Sequence, residues 1–257
     1  YQGEATLAEL VGELEGWTVD SRTAKGRPFR VEEVLLVHDH GPDRSDEVIR
    51  KLAEEYPFVR GVWLSRNYGQ HPATLAGMAS SGGEWIVTMD EDGQHDPADI
   101  GGMLDVALDQ GASIVYGEAL NPPPHGPFRN LTSRLSKRVL AALTGSKTST
   151  SFQSYRLVLG EIGRSAAAFV GSGVYLDIAL GWVSGDIARA PVTLRSEGDR
   201  RSGYRTRTLL SHFWRMVLID GPRVSSQASA ICAGVAVAAA AVARYLLIAW
   251  LLGYGTH

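Results

Sequence analysis

Between Val34 and Gln110 a short apolar run, a polar cluster and an amphipathic segment follow one another three times, and this cycle constrains the fold more than any other feature of the chain. Val34 to Val37 and Val59 to Leu64 read as strands followed by helices over 46–56 and 72–80, and Trp85 to Met89 as a strand before a helix over 97–110. Strands alternating with helices at that spacing predict an α/β domain with a mostly parallel sheet covered on both faces. Ser113 to Tyr116 offers one more strand, and a helix carrying Leu7, Leu10, Val11 and Leu14 on one face precedes the first cycle. In open sheets of this kind ligands sit beyond the carboxyl ends of the strands, where the polar clusters after Val37, Leu64 and Met89 fall.

Asn121 to Pro127 holds four prolines and can sustain neither helix nor ladder; a helix over 128–143 is expected to follow. The last section differs in kind. Ala228 to Ala243 carries no charge, and Tyr245 to Leu252 continues the apolar run beyond Arg244. At 1.5 Å per residue the whole stretch spans roughly 37 Å, the reach of a tilted transmembrane helix. Just before it, Leu209, Leu210, Phe213, Trp214, Val217 and Leu218 alternate with Arg207, His212 and Arg215, a pattern suited to a helix lying in the membrane interface. Arg200, Arg201, Arg205, Arg207, Arg215 and Arg223 precede the apolar run, which predicts a domain on the cytoplasmic side. The acidic, amphipathic opening lacks the pattern of a secretory signal and agrees with that side.

Composition narrows the partners. An apolar fraction of 44% in 257 residues supplies a full core, while a net charge of -3 and a pI near 6.2 exclude a general attraction to nucleic acid. The lone Cys232 excludes an internal disulfide.

The segment Met89-Asp90-Glu91-Asp92-Gly93-Gln94-His95-Asp96-Pro97 gathers oxygen ligands at a strand end. Asp90 and Asp92 straddle one residue and can point the same way from an extended turn. With Gln94 they offer hard donors that suit Mg²⁺ or Mn²⁺ and leave positions for diphosphate oxygens. Asp39, after the first strand, suits either a nucleotide contact or an ordinary polar contact. Asn67-Tyr68-Gly69-Gln70-His71 suits either a ligand loop or a capped helix start. Arg129 and Arg134 suit diphosphate or solvent alike.

These segments resemble the inverting glycosyltransferases of the nucleotide-diphospho-sugar transferase (GT-A) fold, particularly the branch of dolichol-phosphate-mannose synthase and bacterial polyprenyl-phosphate glycosyltransferases. Val37 to Ser45 is similar to that family's V-D-D-G-S-x-D-x-T, and Asn67, Gly69, Ala73 and Gly77 match its N-x-G-x-x-x-A-x-x-x-G. Asp90 to Pro97 resembles D-A-D-L-Q-D-P-P, and Ser202-Gly203-Tyr204 resembles the juxtamembrane S-K-Y. Three positions depart: His38 replaces the first aspartate of V-D-D-G-S, Gly203 replaces lysine, and Ser149 to Arg156 keeps the arginine of D-x-G-x-F-R without its acidic residue. The family's opening strand ends in P-V-Y-N-E, of which Tyr1 to Glu4 looks like the tail, so one central strand is expected to be missing.

The resemblance implies a metal held by Asp90, Asp92 and Gln94, with catalysis assigned to Asp92, Arg129 and Arg156. It implies donor and phosphate binding by Asp39, Asn67, Asp90, Arg134, Arg201, Ser202 and Tyr204. The expected organisation is a GT-A domain over 1–205, an interfacial helix over 206–222 and a transmembrane segment over 223–257. The expected partners are a nucleotide-diphosphate sugar, a polyprenyl phosphate acceptor and membrane lipid, with room for a homo-oligomer. Three rival readings are transfer to a glycan or other hydroxyl acceptor, an inactive membrane scaffold of the same fold, and a nucleotidyltransferase, which would need an early glycine- and lysine-rich phosphate loop that the sequence lacks.

Overall fold

A computed structural model describes residues 3–121, 153–170 and 174–195. The chain runs through α1 (Leu7–Glu15), a small hairpin of β1 (Ser21–Arg22) and β2 (Pro28–Phe29), β3 (Val34–His38), α2 (Ser45–Glu55), β4 (Val59–Trp63), α3 (Gln70–Ser80) and β5 (Trp85–Thr88). A 3-10 turn (Pro97–Asp99) then leads into α4 (Ile100–Gln110), followed by β6 (Ile114–Ala119), β7 (Arg156–Leu159), α5 (Gly160–Phe169), α6 (Leu176–Val183) and β8 (Ile187–Val192). The three strand-helix cycles stand where their periodicity placed them.

Outside the β1–β2 hairpin, strand direction is mostly parallel, as the sequence predicts, with a single antiparallel strand among the described residues. β3 and β4 pair in parallel, Val34 opposite Val59 through His38 opposite Trp63. The second sheet has the order β5-β7-β6-β8, in which β7 runs antiparallel to both neighbours and β8 runs parallel to β6. β7 inserts between β5 and β6 from the opposite direction. Its consecutive residues Leu157 and Val158 are 1% and 0% exposed and enter the cores on opposite faces, as a pleated central strand requires.

Helices cover both faces. On one, Met103, Leu104 and Ala107 of α4 pack with Val115, Leu157 and Ala190. On the other, Leu75 and Met78 of α3 and Ala166 of α5 pack with Ile114, Val158 and Leu180. The two sheets share no ladder among the described residues, yet α1 bridges them: Leu10 and Leu14 cluster with Val34 at β3 and Val87 at β5. α4 is bounded by chemistry visible in the sequence. Asp96 accepts the Ala98 amide at 2.9 Å, Pro97 opens the turn, and Gly111 closes the helix at φ 61°.

The β1–β2 hairpin is clasped to α4 by charge. Asp105 is 5% exposed and accepts from the Thr23 hydroxyl at 2.7 Å, the Lys25 amide at 3.1 Å and Arg27 Nη1 at 3.0 Å. Asp109 accepts from Arg27 Nη2 at 2.6 Å and pairs with Lys25. Burial pulls the Asp105 carboxyl upward, but the bonds from Thr23, Lys25 and Arg27 outweigh it and hold it below the ordinary range; Lys25 and Arg27 likewise hold Asp109 down. A depressed folded-state pKa contributes stability that is complete above the unfolded value, about pH 4, and is lost as pH falls through the folded value. Hairpin amides Thr23 and Arg27 are therefore expected to lose hydrogen-exchange protection on acidification below about pH 4, before the sheet amides do.

Candidate active site

The carboxyl ends of β3, β4 and β5 carry the loops that the sequence singled out. Asp39, just past β3, is 6% exposed. Its Oδ1 accepts the Tyr68 amide and its Oδ2 the Gly69 amide, each at 2.7 Å, while Asn67 Nδ2 donates to the Asp39 carbonyl at 3.1 Å. Gly69 has φ 94°, a left-handed value that an L side chain rarely adopts, and it starts α3. Asp39 and Asn67 are thus brought together, with the Asp39 carboxylate holding the β4–α3 loop.

That loop reaches the next one through Gln70, whose Nε2 donates to Asp90 Oδ1 at 2.7 Å. The Ser154 hydroxyl donates to Asp90 Oδ2 at 2.5 Å, and Thr88 Oγ1 donates to the Ser154 carbonyl at 2.6 Å. The Asp90 amide donates to His95 Nδ1 at 3.0 Å, so the imidazole of His95 accepts at that nitrogen. His95 is buried and stacks on Tyr155 at 4.7 Å and 17°. Burial pushes its pKa down against the pull of Asp90 and Asp92, and Arg156 adds to the fall. Tyr155 in turn donates to the Asp96 carbonyl at 2.7 Å. Asp92 Oδ1 accepts the Gln94 amide at 3.0 Å across Gly93, which has φ 78°.

Asp90, Asp92 and Gln94 therefore share one loop fixed from several sides. Among the described residues Asp92 Oδ2 and the Gln94 side chain make no protein hydrogen bond, and no three His, Cys, Asp or Glu side chains gather into a cage. Such a donor set fits a small hard cation that takes one or two carboxylates and completes its shell with diphosphate and water. It does not fit an ion needing an all-protein cage.

Arg156 lies apart from the loop surface. Its Nε donates to the Gln153 carbonyl at 2.9 Å, and its Nη1 sits 3.0 Å from Asp177 Oδ1 in an ion pair whose side chains are 6% and 4% exposed. Tyr116 donates to the same Asp177 oxygen at 2.9 Å. Nη1 makes an ionic contact there without a directed hydrogen bond. The expectation of a catalytic arginine thus meets a guanidinium enclosed beneath the site. Arg129, Arg134, Arg201, Ser202 and Tyr204 lie outside the described residues, as do the interfacial and transmembrane segments. Among the described residues no helix is long and apolar enough to cross a membrane.

Sequence reasoning missed Gln70, Ser154, Tyr155, Asp177 and Arg195. Only Gln70, next to the N-x-G run, carried a local signal; the others reach the site through folding.

The family model described as Glycosyl transferase family 2 matches residues 16–168. Undecaprenyl-phosphate 4-deoxy-4-formamido-L-arabinose transferase of Pseudomonas aeruginosa is 36% identical over 146 residues, which cover 56% of this chain and 40% of the relative. The chain thus matches well under half the length of that curated relative. Glucosyl-3-phosphoglycerate synthase from Mycobacterium tuberculosis, solved with Mn²⁺, UDP-glucose and phosphoglyceric acid, superposes with a TM-score of 0.56 at 16% identity, covering 87% of this chain and 76% of that one. Mannosyl-3-phosphoglycerate synthase from Rubrobacter xylanophilus superposes with a TM-score of 0.58 at 13% identity, covering 87% and 71%. At these identities the likeness is one of fold.

Proposed function

The chain belongs to glycosyl transferase family 2, and from that membership we propose that it moves a sugar from a nucleotide-diphosphate donor to a polyprenyl phosphate at the cytoplasmic face of a membrane, with inversion at the anomeric carbon. The observation that carries the reading is the Asp90–Gln94 loop, held at the end of β5 by Gln70, Ser154 and His95 with Asp92 Oδ2 left for a ligand. Asp90, Asp92 and Gln94 would hold Mg²⁺ or Mn²⁺, which when bound offsets the charge that develops on a departing diphosphate.

Each side chain then has a task. Asp39 and Asn67 tie the β3 and β4 loops into one wall of the donor pocket, and Gln70 joins that wall to Asp90. An acceptor phosphate oxygen attacks the anomeric carbon as the bond from that carbon to the diphosphate oxygen breaks, and the electron pair leaves with the diphosphate. A phosphate acceptor is already anionic near neutral pH, whereas a sugar hydroxyl would need a general base. That matches the lack of an acidic residue between Ser149 and Arg156, and the P. aeruginosa relative's name carries the same acceptor class. Arg129 and Arg134 would face the diphosphate, and Arg201, Ser202 and Tyr204 the phosphates nearer the membrane. The interfacial and transmembrane segments over 206–222 and 223–257 would hold the acceptor end at the bilayer.

The test incubates membranes containing the chain with labelled nucleotide sugars, polyprenyl phosphate and Mn²⁺. Label is expected in the organic phase, and chelation with EDTA should remove it. Label confined to the aqueous phase or to an insoluble glycan for every donor would overturn the acceptor assignment.

A further inference from the structure

Arg195, the residue that ends the described chain after β8, links three separate parts of the molecule. Its amide donates to the Gln94 carbonyl at 2.9 Å. Its Nε lies 3.2 Å from Asp96 Oδ2 and its Nη2 2.9 Å from Asp96 Oδ1. Its Nη1 lies 2.8 Å from both carboxylate oxygens of Glu13 on α1. The guanidinium is planar and carries five donors in a fixed fork, so it can pair with one carboxylate on two nitrogens while a third serves another, a geometry that a lysine ammonium does not offer.

The neighbouring residues fix the strand that carries it. The Thr193 amide donates to Asp99 Oδ2 at 3.0 Å; the Leu194 amide donates to Asn121 Oδ1 at 2.9 Å, and Asn121 Nδ2 returns to the Leu194 carbonyl at 2.8 Å. Arg195 therefore projects from an anchored strand end and does not trail with the loop it grips.

We propose that Arg195 is a positioning residue for the cation site: it locks the Gln94–Asp96 end of the metal loop against β8 and α1, and it withholds Asp96 from the cation. This rests on the reading of Asp90, Asp92 and Gln94 as cation ligands. The physical reason is competition within one loop. Asp96 lies two residues beyond Gln94 and could otherwise offer a third carboxylate. Arg195 engages both of its oxygens, and the Ala98 amide donates a further bond to Oδ1. Gln94 is meanwhile gripped through its carbonyl, which limits how far its amide side chain can wander.

Supporting residues of this kind typically change metal affinity by about 10- to 100-fold when removed. The experiment uses the full chain and Mn²⁺ alone, following loss of the free Mn²⁺ signal by electron paramagnetic resonance. Arg195→Gln is expected to weaken Mn²⁺ binding about 10-fold, with faster amide exchange over 90–96. Arg195→Lys should fall between Arg195→Gln and the parent, because an ammonium keeps the charge but lacks the planar fork that pairs with both Asp96 oxygens. Glu13→Gln should move affinity the same way by less. Arg27→Gln is the control for mere destabilisation: it breaks an ion-pair clasp of similar geometry on α4 and should leave Mn²⁺ affinity unchanged. An Arg195→Gln variant that binds Mn²⁺ within twofold of the parent overturns the positioning role. No Mn²⁺ uptake by the parent itself would instead overturn the cation site on which it rests.

Discussion

Asp90→Asn is expected to lower turnover by about two to three orders of magnitude while moving the unfolding midpoint little. The substitution keeps the bonds that hold the loop. The new carboxamide retains a carbonyl oxygen that can accept from Gln70 Nε2, and the Ser154 hydroxyl can rotate to accept from the amide nitrogen where it now donates to Oδ2. The backbone amide still reaches His95 Nδ1. What disappears is one negative charge at the proposed cation site, and charge stabilisation of a leaving diphosphate is worth several kcal/mol in a water-poor site. Steady-state assays at saturating Mn²⁺ against urea unfolding separate the two quantities. Turnover within threefold of the parent would remove Asp90 from the cation site.

The parts of this molecule legible in the sequence were those whose signal is local. Val34–His38, Val59–Trp63 and Trp85–Thr88 announce themselves because each is a compact apolar run before an amphipathic helix of about three turns. β8 does not: Ile187 to Val192 contains two alanines and Pro191, residues poor in strand preference, and becomes a strand by laddering to β6 along its whole length. β7 is a four-residue run with no alternation, and its placement between β5 and β6 gives the sheet its one antiparallel strand.

The site divides the same way. Asp90, Asp92 and Gln94 could be read from a strand end followed by acidic residues. Ser154 and Arg195 could not, because the first reaches Asp90 across 64 residues and the second reaches Asp96 across 99. For Asp39, the residues alone left both a nucleotide contact and a polar tie open. The geometry of Gly69, a left-handed residue whose amide must find an acceptor at the start of α3, is what gives the carboxylate the tie, which leaves each oxygen a further acceptor site.

The second large effect concerns the buried pair beneath the site. Asp177→Ala is expected to cost about 3–5 kcal/mol of stability, because it leaves the Arg156 guanidinium charged, enclosed and without its counter-ion, and removes the Asp177 oxygen to which the Tyr116 hydroxyl donates. The double variant Arg156→Met with Asp177→Leu should recover most of that loss, since two apolar side chains of similar volume carry no desolvation penalty. Tyr116→Phe alone should cost about 1 kcal/mol. This series also decides what Arg156 does. A guanidinium that touches the donor would leave the double variant stable but inactive. A prop that only holds the Gln153–Tyr155 segment in place, and with it the Ser154 bond to Asp90, would let activity return as stability does. The enclosed ion pair favours the second outcome: urea midpoints and turnover are expected to rise together in the double variant. Restored stability with turnover still down by more than about a hundredfold, roughly 2.7 kcal/mol in the barrier, would place Arg156 at the reacting groups instead.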